Sequence, residues 1–223
     1  MRGRLREEKS GTRERLMAAA GEIFAERGFK AATVREIAAR AGANAAALNY
    51  YYRDKDGLYL AVLDDLLRTG FEKYPPDLGL GPRPTGAQRL AAFVRSFLLC
   101  FLDEDCWGGY EGKGRLLAKE IADPSPVLSS LVEKHLTPRK EALFAVVRDL
   151  LGPGADPETA LLCALSVAGQ CLHYVYARPI FERLRLPLGR GRDWIERLAA
   201  HVAAFSLAGI RAAARTARQG RGA

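Results

Sequence analysis

Apolar residues recur at helical spacing along almost the whole chain, and no stretch alternates in the way that is typical of a strand. This pattern predicts an all-α fold. The helices are expected at about 12–27, 34–40, 45–51, 54–74, 87–103, 113–122, 126–151, 157–177 and 192–216. The stretch PPDLGLGPRPTG at 75–86 is rich in proline and glycine, so it predicts a loop.

The segment VREIAARAGANAAALNYY at 34–51 has the features of a helix-turn-helix. Thr33 and Glu36 have the spacing of a capping box, Asn44 is a good cap for the next helix, and Gly42 suits a turn that needs positive φ. A small core between the two helices is predicted from Ile37, Ala41 and Leu48. We therefore expect an N-terminal three-helix DNA-binding domain whose second short helix enters the major groove.

The exposed face of that second helix is predicted to present Asn44, Ala45, Asn49 and Tyr50. Asn49 can read an adenine edge, the alanines can contact a thymine methyl, and Arg35 can reach guanine or a phosphate. Contacts to phosphate oxygens suit Thr33, Tyr51 and Lys55. The alternatives are that Asn49 is a solvated polar residue and Arg35 a surface charge. A helix cannot expose three consecutive tyrosines, and we predict that Tyr52 is the core residue.

Charge is concentrated at the two ends of the chain, whose 223 residues carry a formal net charge of +8. The net charge is +4 over 1–56, −3 over 57–177 and +7 over 178–223. A basic segment favours binding to a polyanion such as DNA, RNA or an acidic membrane surface. The basic residues Arg2, Arg4, Arg6 and Lys9 suit an arm along the DNA backbone or, alternatively, a solvated tail.

The run TRERLMAAAGEIFAERGFKAATVREIAARAGANAAALNYYYRDKDGLYLAVL at 12–63 resembles the DNA-binding domain of the Tet repressor family. The resemblance implies that eight positions face DNA: Thr33, Arg35, Asn44, Ala45, Asn49, Tyr50, Tyr51 and Lys55. The family usually has Tyr where this chain has Asn49, His where it has Tyr51 and Thr where it has Ala47. RLLAKEIADPSPVL at 115–128 and SVAGQCLHYVYARP at 166–179 resemble a subfamily of repressors of drug-export genes. That likeness implies a second, larger domain that binds a compound and forms dimers. We place the domains at 1–56 and 57–223.

The helix predicted at 87–103 is apolar around most of its girth, so it should be buried. An apolar effector pocket would be lined by Phe93, Phe97, Phe101, Trp107 and Phe144, with Gln170, His173 and Tyr174 as its polar groups. The alternative is that these residues simply fill the core. Glu120 would meet a cationic compound or, alternatively, pair with a core arginine.

The last two long helices are the expected dimer surface. The predicted stripe consists of Trp194, Leu198, Val202, Phe205 and Gly209. A two-fold dimer would place two recognition helices about 34 Å apart and would read a pseudo-palindromic operator. In this hypothesis a small-molecule effector shifts the helix at 54–74 and releases the repressor from double-stranded DNA.

An enzyme is disfavoured because the sequence lacks nucleophile-elbow, phosphate-loop, dinucleotide-binding and zinc-protease motifs. We expect no cofactor and no metal, and we interpret the four cysteines as reduced core thiols in a cytoplasmic protein without a signal peptide or membrane span. Two alternatives stay open. One is a membrane-surface protein that uses Arg211, Arg215 and Arg218, and the other is a DNA-binding protein without ligand control.

Overall fold

The computed structural model describes residues 2–108 and 113–219, with side chains for 11–108 and 113–216. These residues form helices and no strand. The helices are α1 (Arg2–Ala31), α2 (Val34–Arg40), α3 (Ala45–Tyr52), α4 (Lys55–Lys73), α5 (Gly86–Leu102), α6 (Gly114–Ala122), α7 (Leu128–Leu131), α8 (Thr137–Leu151), α9 (Pro157–Tyr176), α10 (Arg178–Arg183) and α11 (Arg192–Gln219). The all-α prediction is confirmed.

Local sequence signals explain most of the helix boundaries. The helical conformation of α1 is interrupted at Gly28, where a stop was predicted. The predicted helix at 126–151 is observed as one continuous helical run from Leu128 to Leu151, made of α7, a π-helical turn at Val132–Leu136 and α8. Pro138, in the first turn of α8, has no N–H to donate to the preceding turn, and the hydrogen-bond pattern changes just before it. The sequence prediction also missed the short helix α10.

The chain folds into two compact units, and the first contains residues up to Arg68 together with Arg115–Lys134. Its core includes Ile37, Ala41 and Leu48, as predicted for the helix-turn-helix, together with apolar residues of α1 and of the start of α4. These buried residues are Leu16, Ala19, Ala20, Ile23, Phe24, Ile37, Ala41, Leu48, Leu58, Val62, Leu63 and Leu66. Tyr52 is buried as predicted, and its hydroxyl donates to the Arg13 carbonyl at 3.1 Å.

The second unit contains Thr69–Gly114 together with the residues from His135 onward. Its central helix is α5, which packs against α8, α9 and α11. Two ion pairs hold neighbouring helices to α5, since Arg89 contacts Asp149 on α8 at 2.6 Å and Arg95 donates two hydrogen bonds to Glu196 on α11. The prediction that the 87–103 helix is buried is confirmed.

Candidate DNA-binding surface and effector domain

The helix-turn-helix is fixed by its own caps. The Thr33 hydroxyl accepts from the Glu36 amide at 3.2 Å, and the Glu36 carboxylate accepts from Thr33 in return, so the predicted capping box is present. Asn44 accepts from the Ala47 amide at 2.7 Å at the start of α3. Gly42 has φ of 60°, which a side chain would make costly. These bonds set the ends of α2 and α3, and Arg15 of α1 donates to the Ala41 carbonyl at 3.1 Å in the turn between them.

One face of α3 is open to solvent and carries four of the residues predicted to contact DNA. Asn44, Ala45, Asn49 and Tyr50 are all exposed, and Tyr50 is 71% accessible. Tyr51 is half-buried, with its ring edge-on to that of Tyr50 at 5.0 Å. The amide of Asn49 can therefore approach a base edge, while the Asn44 side-chain oxygen is already engaged as a cap.

Two of the residues predicted to contact phosphates, Lys55 and Thr33, form hydrogen bonds within the protein. Lys55 Nζ donates to the carbonyl oxygens of Phe29 at 3.0 Å and Ala32 at 3.2 Å, and it lies 4.4 Å from the centre of the Phe29 ring. The Thr33 hydroxyl is engaged in the capping box. Lys55 therefore joins the start of α4 to the end of α1 and has one N–H left for a phosphate.

Arg53 is a cation at this surface that the sequence reasoning missed. It follows α3 directly, has φ of 72°, and its side chain is 93% exposed, 3.8 Å from Asp54. Arg35 is also exposed, in the first turn of α2. The signal for Arg53 was present, because a basic residue at the end of a recognition helix is well placed for the DNA backbone. The side chains of Arg2, Arg4, Arg6 and Lys9 lie outside the described residues.

Glu120 corrects the prediction most clearly. The residue is 3% exposed and belongs to the first unit, whereas the predicted aromatic residues belong to the second. It accepts from the Tyr59 hydroxyl at 2.9 Å and from the Ser125 amide and hydroxyl at 3.0 and 2.8 Å. Neither a core arginine nor a compound is needed to satisfy it. Burial raises the pKa of Tyr59, and the adjacent Glu120 charge raises it further, so the phenol stays protonated as a donor.

Further bonds join the segment at 115–134 to the DNA-binding helices. Lys119 Nζ donates to the Glu26 carbonyl at 2.7 Å, and Lys30 pairs with Asp123 at 2.5 Å. Lys134 pairs with Asp64 of α4 at 2.6 Å. The helix α6 is therefore attached to α1 and α4 by polar contacts and shares their compact unit.

An aromatic cluster occupies the second unit. The Phe97 and Phe101 rings stack at 4.7 Å, and Trp107 meets Phe101 edge-on at 4.6 Å. Phe71, from the end of α4, extends the cluster to Trp107 at 5.2 Å. The structure thus brings together three of the predicted effector residues, and Phe93 is buried on the same helix.

The other predicted effector residues lie apart from this cluster. His173 is on the exposed side of α9, edge-on to Phe181 at 5.0 Å, so it is neither a core histidine nor part of the cluster. Gln170 donates to the Ser206 hydroxyl of α11 at 3.1 Å. Tyr174 and Phe144 are half-buried.

Two polar groups beside the cluster were missed. The hydroxyl of Tyr176 is buried without a hydrogen-bond partner, its ring lies 6.3 Å from that of Phe101, and burial raises its pKa to about 12. The Arg139 guanidinium lies 3.7 Å from the Phe71 ring centre and donates to the Tyr74 carbonyl at 2.8 Å. Burial lowers the pKa of Arg139. An unpaired buried hydroxyl is costly unless something else binds it.

The structure also corrects the predicted dimer stripe on α11. Leu198 and Val202 are 7% and 1% exposed, so they belong to the core of their own unit. The buried face runs through Ile195, Leu198, Ala199, Val202, Ser206 and Ile210, so it overlaps the predicted stripe only at Leu198 and Val202. Phe205 and Gly209 remain exposed, and Trp194 is half-buried. Among the described side chains, no cluster of three or more His, Cys, Asp or Glu residues is placed to hold a metal.

Comparison with known proteins identifies both parts of the chain. The family described as "Bacterial regulatory proteins, tetR family" matches residues 16–62, and "HTH-type transcriptional dual regulator CecR, C-terminal domain" matches residues 87–210. The chain belongs to the TetR family of transcriptional regulators. Its C-terminal part is a CecR-type domain that includes the segments at 115–128 and 166–179, and the protein is a DNA-binding transcriptional regulator.

Individual relatives agree with this assignment to the TetR family. The HTH-type transcriptional dual regulator CecR of Shigella flexneri is 26% identical over 171 residues, 73% of this chain and 74% of that protein. A transcriptional regulator from Rhodococcus sp. Rha1 is 25% identical, with a TM-score of 0.59 over 88% of this chain and 96% of that one. FadR from Bacillus subtilis, solved with stearoyl-CoA, has a TM-score of 0.64 at 16% identity over 88% and 98% of the two chains, and shows the fold.

One helix of the described residues, α9, is long and apolar enough to cross a membrane by length and composition. It lies inside the CecR-type domain and packs against α5, α8 and α11. Leu161, Leu162 and Leu165 remain exposed on it. This TetR-family regulator therefore has an apolar face on α9 that its own unit leaves uncovered.

Proposed function

We propose that this TetR-family regulator binds a pseudo-palindromic operator as a homodimer and represses transcription until a small-molecule effector releases it. The exposed face of α3, with Asn49 and Tyr50 open to solvent and the caps at Thr33 and Asn44 in place, supports the DNA-reading part most directly. Asn49 reads the base edge, while Arg35 and Arg53 contact phosphates.

In vitro selection of random duplex DNA on the full-length protein tests this proposal. The expected product is a two-fold palindrome, and the log-log dependence of affinity on salt should have a slope of about −0.9 per phosphate contacted. Steep salt dependence without sequence enrichment would contradict specific recognition. Asn49→Ala should relax the selected sequence at one position in each half-site without changing the salt slope, whereas Arg35→Met should lower that slope.

Exposed apolar side chains on α9 and α11 support the homodimer. Leu161, Leu162 and Leu165 face solvent on α9, and Phe205 is 65% exposed on α11, next to the small residues Ala208 and Gly209. Since α9 and α11 pack together, a second copy can cover both faces at once as a four-helix arrangement. Covering them removes the largest apolar side chains of the two helices from water.

Analytical ultracentrifugation distinguishes this dimer from the alternatives. Phe205→Glu should convert the dimer to a monomer, because the introduced carboxylate would be buried at the two-fold interface. Leu184→Glu is the matched control, since Leu184 is equally exposed but lies beyond α10. Dissociation by both variants, or by neither, would contradict the assignment. Co-sedimentation of wild type with anionic liposomes would instead favour a membrane-surface role.

The aromatic cluster of the second unit supports an apolar effector with a hydrogen-bond acceptor. Phe97, Phe101 and Trp107 supply the apolar surface, and the unpartnered Tyr176 hydroxyl supplies a donor. Tyr176→Phe should leave stability unchanged or raise it, because the hydroxyl has no partner to lose. The same variant should bind the effector about tenfold more weakly than wild type, with the effector taken from a thermal-shift screen. A screen in which no compound weakens operator binding would favour a regulator without ligand control.

A further inference from the structure

The turn that follows α5 brings two cysteines of the second unit close together. Cys100 is in the last turn of α5 and is fully buried, whereas Cys106, in the turn that follows, is half-exposed. The backbone folds back between them, since the Trp107 amide donates to the Cys100 carbonyl at 3.2 Å and the Cys106 amide to the Asp103 carbonyl at 2.9 Å. The four cysteines are free thiols, but only Cys100 and Cys171 are core residues as predicted.

The surroundings of the pair divide the roles between the two sulfurs. Hydrogen bonding of the Cys100 thiol to the ionised form of Cys106 lowers the pKa of Cys106, and the positive charge of Lys73 and the Trp107 amide lower it further, against the effects of partial burial and of Asp103. The same hydrogen bond and complete burial raise the pKa of Cys100. Cys106 is therefore the nucleophile that meets solvent, and Cys100 is the protected partner behind it.

We propose that Cys106 and Cys100 are a peroxide-reactive pair that closes reversibly into an intramolecular disulfide. The Cys106 thiolate attacks one oxygen of a hydroperoxide, an S–O bond forms, the O–O bond breaks, and the second oxygen leaves as alcohol or water after protonation. Cys106 is thereby oxidised to a sulfenic acid and the hydroperoxide is reduced. Cys100 then attacks the Cys106 sulfur, an S–S bond forms, and the hydroxyl leaves as water with the Cys100 proton.

The closed form changes the contacts of a buried residue. In the reduced protein the Cys100 thiol lies 3.3 Å from the Gly70 carbonyl of α4 and 3.7 Å from the Tyr74 carbonyl. A disulfide removes the single thiol proton, so the nearer carbonyl, that of Gly70, loses Cys100 as a donor. Because Trp107 follows Cys106 directly and packs on Phe101, oxidation should also change the emission of Trp107. None of these steps depends on operator binding, so the regulatory proposal can fail without affecting them.

Peptide mapping of the full-length protein after hydrogen peroxide treatment tests the pair. Trypsin leaves Cys100 and Cys106 together between Arg95 and Lys113, and the acidic residues at 103–105 allow a second cleavage between the two cysteines. We expect a loss of 2 Da in the tryptic peptide, and two linked fragments after cleavage at the acidic residues. Dithiothreitol should restore the original mass. Peroxide treatment that leaves this peptide unchanged, or oxidises it only irreversibly, overturns the proposal.

Cysteine variants distinguish the roles of the two sulfurs. Cys100→Ser should stop at the sulfenic acid, which dimedone traps at Cys106, and Cys106→Ser should give neither product. Cys163→Ser is the matched control, because Cys163 is also half-exposed, but burial raises its pKa. At pH 7, Cys106 should react about tenfold faster than Cys163. Lys73→Met keeps both thiols and should slow oxidation of Cys106. Equal rates for Cys106 and Cys163 in wild type would overturn the assignment.

Discussion

Replacing Lys55 by methionine distinguishes a structural lysine from a DNA contact. Methionine keeps the length and apolar packing of the side chain but removes the ammonium group. The carbonyls of Phe29 and Ala32 then lose their donors at 3.0 and 3.2 Å, and the cation over the Phe29 ring is lost. A hydrogen bond to a charged group contributes about 1.5–3 kcal/mol. Because Lys55 is half-buried and water can replace part of the loss, we expect a destabilisation of about 2–3 kcal/mol.

Arg53→Met is the matched control. It also removes one cation, two residues before Lys55, but the Arg53 side chain is almost fully exposed. It should change stability by less than about 0.5 kcal/mol. It should also reduce the salt slope of operator binding by about 0.9. Urea unfolding followed by circular dichroism measures the first effect, and fluorescence anisotropy at several salt concentrations measures the second. If Lys55→Met unfolds at the wild-type urea concentration, the structural assignment of Lys55 is wrong.

Two further predictions concern stability in the second unit and its pH dependence. Gly70→Ala should destabilise by about 1–3 kcal/mol, because its methyl group would overlap the buried Trp107 indole, whereas Gly21→Ala, with an ordinary contact at 3.8 Å, should gain up to about 1 kcal/mol of helix propensity. Thermal unfolding should show opposite signs, and a gain at both positions would contradict the close approach at Gly70. Hydrogen bonds from Arg95 lower the pKa of Glu196 below its ordinary 4.5, so this pair stabilises the native state above that pH and the contribution is lost as pH falls through the lowered value. Arg95→Met should flatten the acid limb of the stability curve, and an unchanged limb would show that the pair contributes nothing.

The sequence determined the features of this protein that depend on residues close together in the chain. The capping box at Thr33, the cap at Asn44 and the positive φ at Gly42 each involve residues at most three or four positions apart, so their chemistry could be read directly. The same holds for the burial of Tyr52, since one face of a short helix must turn inward. The local geometry of the helix-turn-helix was therefore predictable, whereas the residues that contact DNA stay a prediction.

Only the tertiary structure decided which side chains meet across the chain. Tyr59 and Glu120 are 61 residues apart, and nothing in the local sequence says that a tyrosine will satisfy that carboxylate. Lys55 has the charge that suits a phosphate contact, yet it donates hydrogen bonds to backbone carbonyls at the end of α1. On α11, periodicity gives an apolar face, but the packing of neighbouring helices decides that Val202 is buried within the unit while Phe205 stays exposed. The physical reason is that burial and hydrogen-bond partners are properties of the packed neighbours, which a single helix does not encode.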